Sequence, residues 1–283
     1  MIIDEKNIAT KEVMSWKGIH LLHFQMSSCS LKVRVLLMEL GLKWKSHPIS
    51  LPSNQNSTPW FLGINPRGVV PVLVHDGVVH VESNDILVYL DRRFSSSNNR
   101  YFIHEKNRFY DEANELLRYE DSLHTELRLL TMNFGPLALK SDKKISDYEA
   151  NGKLDSHRKK EINWWRAKAE KGITKEEVRK ACESFQTAFS MLDDRLETRD
   201  WLIGTSISIV DIAWFTNIQR LEMLGYPMKR HPNLHHYYKE MIKRNSFKTE
   251  KKMPMSRLGT IVFTLVRSVR RLKGESIKRY LAV

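Results

Sequence analysis

A small polar turn, Ser27-Ser28-Cys29-Ser30, stands directly before an apolar pattern of helical spacing at residues 31–40. Main-chain N–H groups at the start of a helix are unpaired and favour anions. A cysteine thiol at such a position has a lowered pKa and becomes a better nucleophile. A serine hydroxyl there can instead donate a hydrogen bond to the thiolate of another molecule, or can simply cap the helix. The turn therefore indicates thiol chemistry or a plain helix start.

Two further pairs can bind an extended, charged peptide. Val70-Pro71 precedes an apolar run, and an X-Pro bond at such a place can be cis. The N–H and C=O of Val70 can then pair with an extended peptide like a short added strand. Glu82-Ser83 stands directly before a predicted helix, where N–H groups and the Ser83 hydroxyl can bind a carboxylate while Glu82 binds an ammonium group. Alone, each pair also fits an ordinary proline or an ordinary cap.

The elements that position these residues follow from the periodicity of apolar residues. Short apolar runs bounded by turn residues predict strands at 20–25, 45–51, 71–75 and 78–81, the last two joined by an Asp76-Gly77 hairpin. Helical spacing predicts helices at 31–40 and 84–94. This order of elements predicts a small α/β domain with a mixed sheet.

The second half of the sequence is helical in pattern. One long apolar stripe runs from Phe109 to Leu130, and further helices are predicted at 174–197, 205–224 and 232–245. Ser208 and Asp211 have the spacing of a capping box. The sequence thus predicts an arm at 1–18, an α/β domain at 19–95, a Ser/Asn-rich linker at 96–106, a helical domain at 106–247 with a polar insert at 140–172, and a basic extension at 248–283.

Composition excludes several classes of protein. The 283-residue chain has a net charge of +13, but residues 248–283 alone contain ten Lys or Arg and two Glu, so the body is only mildly basic. Without zinc-finger, phosphate-loop or RNA-binding patterns, we expect no nucleic-acid partner. Two cysteines, Cys29 and Cys182, argue against a disulfide framework and for a cytoplasmic location. We expect neither a secretory signal nor a membrane span.

The basic extension has two interpretations. Its apolar stripe consists of Leu258, Ile261, Leu265, Val269 and Leu272, and Arg267, Arg270, Arg271 and Lys273 lie largely off that stripe. Such a pattern is typical of an amphipathic helix that makes peripheral contact with an anionic membrane, here through residues 256–273. The same pattern fits a C-terminal helix that folds back on the helical domain and covers the cleft.

These features together resemble the glutathione transferase superfamily over residues 19–247. The stretch SSCSLKVRVLLMELGLKW is similar to the zeta class and to the tetrachlorohydroquinone dehalogenases, which have a Ser-x-Cys-Ser turn. The stretch WFLGINPRGVVPVLVHDGVVHVESNDILVYLD resembles the glutathione-binding half of the family, particularly the β-etherases. Val69 stands where the zeta class favours Gln, which argues against a zeta isomerase. The polar insert and the tail resemble the plant dehalogenase-like class and a membrane-associated animal branch.

The resemblance implies a thioredoxin-like domain followed by a helical bundle domain, a homodimer, and glutathione as co-substrate. It implies that Val70, before a cis-Pro71, pairs with the cysteinyl backbone of glutathione. It also implies that Glu82 and Ser83 hold the γ-glutamyl end. On position alone, His47 and Arg67 are candidates for the glycine carboxylate.

Three residues of the turn are predicted to act on the thiol. Ser27 matches the serine that stabilises the glutathione thiolate, and Ser28 is the second candidate donor. Cys29 matches the cysteine with which the dehalogenases resolve a mixed disulfide. The residues leave open whether Ser27 or Cys29 carries the chemistry. Trp214 and Arg220, on the helix after the capping box, are the candidates for substrate contact.

We therefore expect an enzyme that activates the glutathione thiol for attack on a hydrophobic, aromatic electrophile. The reaction is conjugation, ether cleavage or thiol-dependent dehalogenation. The alternative is a non-catalytic, membrane-associated protein that keeps the fold as a binding platform. His231, His235 and His236 accompany the start of a late helix, and we expect no metal there.

Overall fold

The computed structural model describes residues 1–95, 101, 107–135, 139–151 and 156–251, and, in the C-terminal extension, 261, 264–265, 268–269, 272 and 276–281. Most of the predicted linker at 96–106 and much of the extension therefore lie outside the described residues. The chain forms two compact units. The first contains residues 1–90 and 138–172, and the second contains residues 91–137 and 173–283.

Four strands and eleven helices of the described residues make up these units. The strands are β1 Ile19–His23, β2 Lys45–Pro48, β3 Val72–His75 and β4 Val78–His80. The helices are α1 Ser28–Glu39, α2 Pro59–Leu62, α3 Ser83–Phe94, α4 Tyr110–Ser122, α5 His124–Phe134, α6 Asp142–Ala150, α7 Ser156–Lys171, α8 Lys175–Arg195, α9 Ile209–Leu224, α10 Pro232–Met241 and α11 Asn245–Lys251. The predicted fold class, a thioredoxin-like domain and a helical domain, is confirmed.

The first unit is built on a mixed sheet in the order β2-β1-β3-β4. Strands β1 and β2 are parallel, and β3 is antiparallel to both β1 and β4. The register pairs Leu22 with His47 on one side and with Val72 on the other. One face of the sheet buries apolar side chains against Ile8 and Val13 of the N-terminal arm, which is thereby part of this core.

The polar insert packs with the first unit. Its two helices, α6 and α7, bury an apolar side consisting of Ile145, Tyr148, Ile162 and Trp165. The sequence predicts either a loop or an exposed helical insert at 140–172, and the structure has the two helices α6 and α7 there. Charged residues cover the other side of both helices, which is why the apolar signal in the sequence is weak.

The second unit is a bundle with α9 at its centre. Thirteen of the sixteen residues of α9 are buried, and a capping box between Ser208 and Asp211 begins the helix as predicted. The predicted long stripe at 109–130 is not one continuous helix. It is interrupted at Leu123, which joins α4 to α5 and is itself buried, so the apolar stripe continues across the break.

The described parts of the extension differ in burial. Ile277 and Leu281 are buried, and the Tyr280 ring packs edge-on against Phe134 at 6.1 Å. In contrast, four members of the predicted stripe are 49–88% exposed, namely Ile261, Leu265, Val269 and Leu272. Leu258 and the four predicted basic residues of the stripe's flank lie outside the described residues. Within the described part of the chain, no helix has the length and apolar character needed to cross a membrane.

Candidate functional site

The topology of the sheet brings the three motifs to one end of the first unit. The turn with Ser27 follows β1, Pro71 directly precedes β3, and Glu82 follows β4. Because β3 runs antiparallel to β1 and to β4, the start of β3 lies beside the ends of its two neighbours. Three segments that are distant in sequence therefore leave the sheet together, and the first turns of α1 and α3 begin there.

The turn before α1 has the geometry of a helix cap. The Oγ of Ser27 accepts a hydrogen bond from the Ser30 N–H at 3.2 Å, and the Ser27 N–H donates to the Phe24 carbonyl at 3.0 Å. Ser28 and Cys29 are the first two residues of α1 and are partly exposed. The oxygen of Ser27 accepts the capping bond with a lone pair, so its O–H can donate to an anion at this helix start.

Arg34 braces this turn from inside the unit. Its side chain is 2% exposed and donates from Nη2 to the Gln25 carbonyl at 3.1 Å and from Nη1 to the Phe24 carbonyl at 3.4 Å. It also contacts His23. Burial and the charge of Arg34 lower the pKa of His23 to about 4. The sequence leaves the role of Arg34 open. The signal in the sequence is a charged residue at an apolar position of α1, because a charged side chain is rarely buried unless it has partners.

The loop before β3 has the predicted backbone conformation. The Val70–Pro71 peptide bond is cis, and Val70 is partly exposed. The preceding turn is held by Asn65, whose Nδ2 donates to the Val69 carbonyl at 2.8 Å and whose Oδ1 accepts from the Arg67 N–H at 3.2 Å. The position of Val70 is thus fixed on both sides, by this turn and by β3.

The start of α3 contains a strained residue. Glu82 has φ of +65°, in the left-handed region that non-glycine residues rarely adopt, and it directly precedes Ser83, the first residue of α3. Such outliers concentrate at ligand sites, where the surrounding structure holds them in place. The Glu82 carboxylate forms an ion pair with Arg67, so two predicted site residues contact each other.

His47 is engaged away from the three motifs. Its Nε2 lies 3.0 Å from Nδ1 of His20, and its ring stacks on Trp16 at a centroid distance of 4.5 Å. Burial, followed by the His20 and Lys45 charges, lowers the pKa of His47. A neutral imidazole is a weaker partner for a carboxylate than a charged one, and the contact of His47 with a glycine carboxylate stays a prediction.

The two predicted substrate residues lie in the second unit. Trp214 is fully buried, donates from Nε1 to the Leu116 carbonyl at 3.1 Å and packs against Tyr119. Arg220 is also buried on α9. Both side chains are core residues in this structure, and their contact with a substrate stays a prediction. In the part of the chain that the structure describes, no three His, Cys, Asp or Glu side chains are grouped as metal ligands.

Comparisons with known families and proteins cover both units. Residues 26–93 match the glutathione S-transferase N-terminal domain, and residues 175–240 match the glutathione S-transferase C-terminal domain. The chain is 40% identical over 76 residues to glutathione S-transferase 1 of Dianthus caryophyllus, an alignment that covers 27% of this chain and 34% of that protein. It is 27% identical over 208 residues to protein LigF of a Sphingobium strain, covering 69% of this chain and 76% of LigF.

Solved structures show the same fold. The β-etherase LigF superposes with a TM-score of 0.72 at 23% identity, covering 82% of this chain and 98% of LigF. A glutathione transferase family member from Pseudomonas fluorescens, solved with two glutathione molecules bound, superposes with a TM-score of 0.61 at 18% identity, covering 87% of this chain and 99% of that one. With both domains matched in order and the fold shared, the chain belongs to the glutathione transferase family of glutathione-dependent transferases.

Proposed function

We propose that this protein binds glutathione at the end of the sheet where the three motifs meet and activates its thiol for attack on a hydrophobic electrophile. The observation that carries the proposal is the convergence of the Ser27 turn, the cis Val70–Pro71 bond and the Glu82-Ser83 helix start. Each motif matches one part of the tripeptide. The thiol needs a hydrogen-bond donor that stabilises its anion, and the cysteinyl backbone needs a strand-like edge. The γ-glutamyl group needs a charged helix start.

In this proposal the Val70 N–H and C=O pair with the cysteinyl residue of glutathione. The γ-glutamyl carboxylate accepts hydrogen bonds from the N–H groups at the start of α3 and from the Ser83 hydroxyl. Its ammonium group lies by Glu82, whose carboxylate is already oriented by Arg67. The peptide is thus fixed at both ends of its cysteine, which leaves the thiol free to point toward the first turn of α1.

Ser27 is the proposed thiolate donor. The thiol loses its proton to water, and the Ser27 O–H together with the start of α1 stabilises the sulfur anion. The thiolate then attacks the electrophilic carbon, a C–S bond forms, and the bond to the leaving group breaks with its electron pair. Holding the thiolate in place supplies most of the acceleration of the reaction, since a thiolate oriented in the site no longer has to meet the electrophile by a random encounter in solution. Ser28 is the second candidate donor.

Cys29 offers a different reaction at the same place. As the second residue of α1 it can form a thiolate, attack the sulfur of a mixed disulfide and release the other sulfur as a thiolate. Such exchange requires a disulfide substrate: the glutathione thiolate first attacks one of its sulfurs, the mixed disulfide forms, and the other substrate sulfur leaves as a thiolate. In this proposal Ser27 serves direct conjugation or ether cleavage, and Cys29 serves this exchange.

The electrophile is assigned only by class. The relative LigF is a β-etherase, which supports an ether among the candidates. To identify the electrophile, we propose a panel of β-aryl ethers, dichlorohydroquinones, maleylacetoacetate analogues and a chloronitrobenzene. We also propose that the active form of the protein is a homodimer. The substituent that leaves identifies the reaction.

Calorimetric titration with glutathione tests the proposal. The expected result is saturable binding to the wild type and binding about tenfold weaker for Ser83→Ala, which removes a hydroxyl that bonds a charged group. Ser122→Ala, an exposed serine in the second unit, is the matched control and should bind like the wild type. Absence of binding to the wild type at millimolar glutathione would contradict the proposal.

A second candidate function is a membrane-associated binding platform. It is favoured by the exposed side chains of Ile261, Leu265, Val269 and Leu272, which have helical spacing within a strongly basic segment. Flotation with vesicles containing anionic lipid tests this function on the whole chain. Replacing Leu265 and Val269 with Ser should abolish flotation, because it removes apolar side chains from the stripe. Exposed positions tolerate this change without unfolding. Equal flotation of the wild type and this variant would contradict a membrane contact through the stripe.

A further inference from the structure

The helical insert reaches the loop that precedes the cis proline. Tyr148 of α6 is 1% exposed, and its Oη donates to the Arg67 carbonyl at 2.6 Å, across 81 positions of sequence. Gly68 follows with φ of +66°, and a Cβ at this position would lie 2.7 Å from the ring carbon Cε2 of Tyr148. The ring therefore occupies the space that any other residue at 68 would need. Tyr148 and Gly68 form one packed contact.

Three consecutive carbonyls of this loop each accept a hydrogen bond from a side chain. Tyr148 donates to Arg67, Asn56 donates from Nδ2 to Gly68 at 2.6 Å, and Asn65 donates from Nδ2 to Val69 at 2.8 Å. The next residue is Val70. The backbone is therefore held up to the residue that is proposed to pair with glutathione, and one of the three holding groups comes from the insert.

The insert is itself fixed to the first unit. Lys144 donates from Nζ to the Pro52 carbonyl at 2.5 Å, and Asn54 donates from Nδ2 to the Lys144 carbonyl at 3.1 Å. The guanidinium of Arg158, from α7, lies 4.7 Å from the centroid of the Tyr148 ring. These contacts hold α6 on the loop at 52–54 and fix the direction of the Tyr148 hydroxyl.

We propose that Tyr148 is a positioning residue for glutathione and that helix α6 of the insert sets the affinity for glutathione by holding the Arg67–Val69 backbone. This inference rests on the proposed function, since it concerns the same ligand. Tyr148 acts through the backbone next to Val70 and does not act on the thiol. Its loss should therefore weaken binding of the peptide without changing the acidity of the bound thiol.

The test compares Tyr148→Phe with Tyr226→Phe in the full chain. Both variants lose one hydrogen bond of a buried tyrosine, because Tyr226 Oη contacts Nε2 of His231 at 2.8 Å in the second unit. We expect Tyr148→Phe to weaken glutathione binding about three- to tenfold in calorimetry, with the ultraviolet titration of the bound thiol unchanged. Tyr226→Phe should lower the unfolding temperature similarly and leave glutathione binding unchanged.

Other outcomes overturn the inference. Equal glutathione affinity of Tyr148→Phe and the wild type removes a role for the hydroxyl, and equal weakening in both variants means a loss of general stability. Gly68→Ala is the second variant, since it displaces the ring from the other side; unchanged affinity there also contradicts the proposal. If the wild type binds no glutathione, the proposed function itself fails, which is distinguishable from a failure confined to Tyr148.

Discussion

Nη1 of Arg34 lies 3.3 Å from Nδ1 of His23, and this contact joins α1 to the last residue of β1. Since the guanidinium can only donate, Nδ1 of His23 accepts and the ring proton is on Nε2, which donates to Ser46 Oγ at 2.8 Å. The turn that carries Ser27 thus lies between the end of β1 and the start of α1, and the buried Arg34 side chain connects these two elements.

Replacing Arg34 should damage both stability and thiol activation. Arg34→Met removes the donors to the Phe24 and Gln25 carbonyls, and the loss of these partly buried hydrogen bonds should cost about 1–3 kcal/mol of unfolding free energy. The loosened turn should also raise the pKa of the bound glutathione thiol, measured by ultraviolet titration. Arg118→Met, at an exposed position of α4, is the control. Equal effects in both variants would remove the bracing role of Arg34.

His23 should make the protein sensitive to acid. Burial and the Arg34 charge lower its pKa to about 4 from the ordinary 6.5, so the unfolded chain takes up a proton at higher pH than the folded one. The stability associated with neutral His23 is therefore present above about pH 6.5 and is lost as the pH falls through about 4. Urea unfolding of His23→Gln at pH 7 and pH 4.5 should show a smaller decrease than the wild type.

The control for this prediction is His157→Gln, since His157 is exposed on α7. That variant should keep the full acid sensitivity of the wild type. Burial also lowers the pKa of His80 to about 4. His80 is therefore a second source of acid sensitivity, which the wild type and both variants share. Identical pH dependence in His23→Gln and the wild type would contradict the assignment.

Lys140 should affect stability at alkaline pH. Burial lowers the pKa of its ammonium group, which donates to Asn54 Oδ1 at 2.5 Å, from the ordinary 10.5 to about 8. Between pH 8 and 10.5 the unfolded chain binds more protons at this site, so the unfolding free energy should rise with pH. Lys140→Met should lack this rise in urea unfolding. Lys143→Met, at an exposed position near the start of α6, should keep it, and the reverse pattern would refute the prediction.

Kinetics of two turn variants should separate the candidate chemistries. Ser27→Ala removes a hydrogen bond to the thiolate, and we expect conjugation at neutral pH to fall about tenfold or more, plus about 1 kcal/mol of stability from the lost cap. Cys29→Ala should keep full activity. If Cys29→Ala loses activity while Ser27→Ala retains it, the reaction is thiol exchange through Cys29.

Local patterns allowed the sheet of the first unit and the helices α1 and α3 to be predicted. Strand, turn and helix around Ser27 follow from an apolar run, a small polar turn and helical spacing, and the structure has β1, a capped turn and α1 there. Such features depend on neighbours in sequence, which is why residue type and spacing are enough to indicate them. The cis bond at Val70–Pro71 was expected from the family resemblance, since the residues alone also fit an ordinary proline.

Contacts between distant segments were not predictable. The Tyr148–Arg67 bond joins a polar insert to a loop, and nothing in the periodicity of residues 140–172 indicates which surface the insert packs on. The break at Leu123 is similarly hidden, because the buried face continues through it. The burial of Trp214 also depends on the whole bundle, so the local pattern could not indicate that this candidate substrate residue is buried.

The most direct test of the central claim is ultraviolet titration of the glutathione thiolate bound to the wild type and to Ser27→Ala. We predict a saturable thiolate signal in the wild type with a pKa below the ordinary thiol value of about 8.5. In Ser27→Ala the pKa should return toward that value while glutathione still binds. A wild type with no saturable thiolate signal below pH 8 at millimolar glutathione would contradict a glutathione-activating site at this turn.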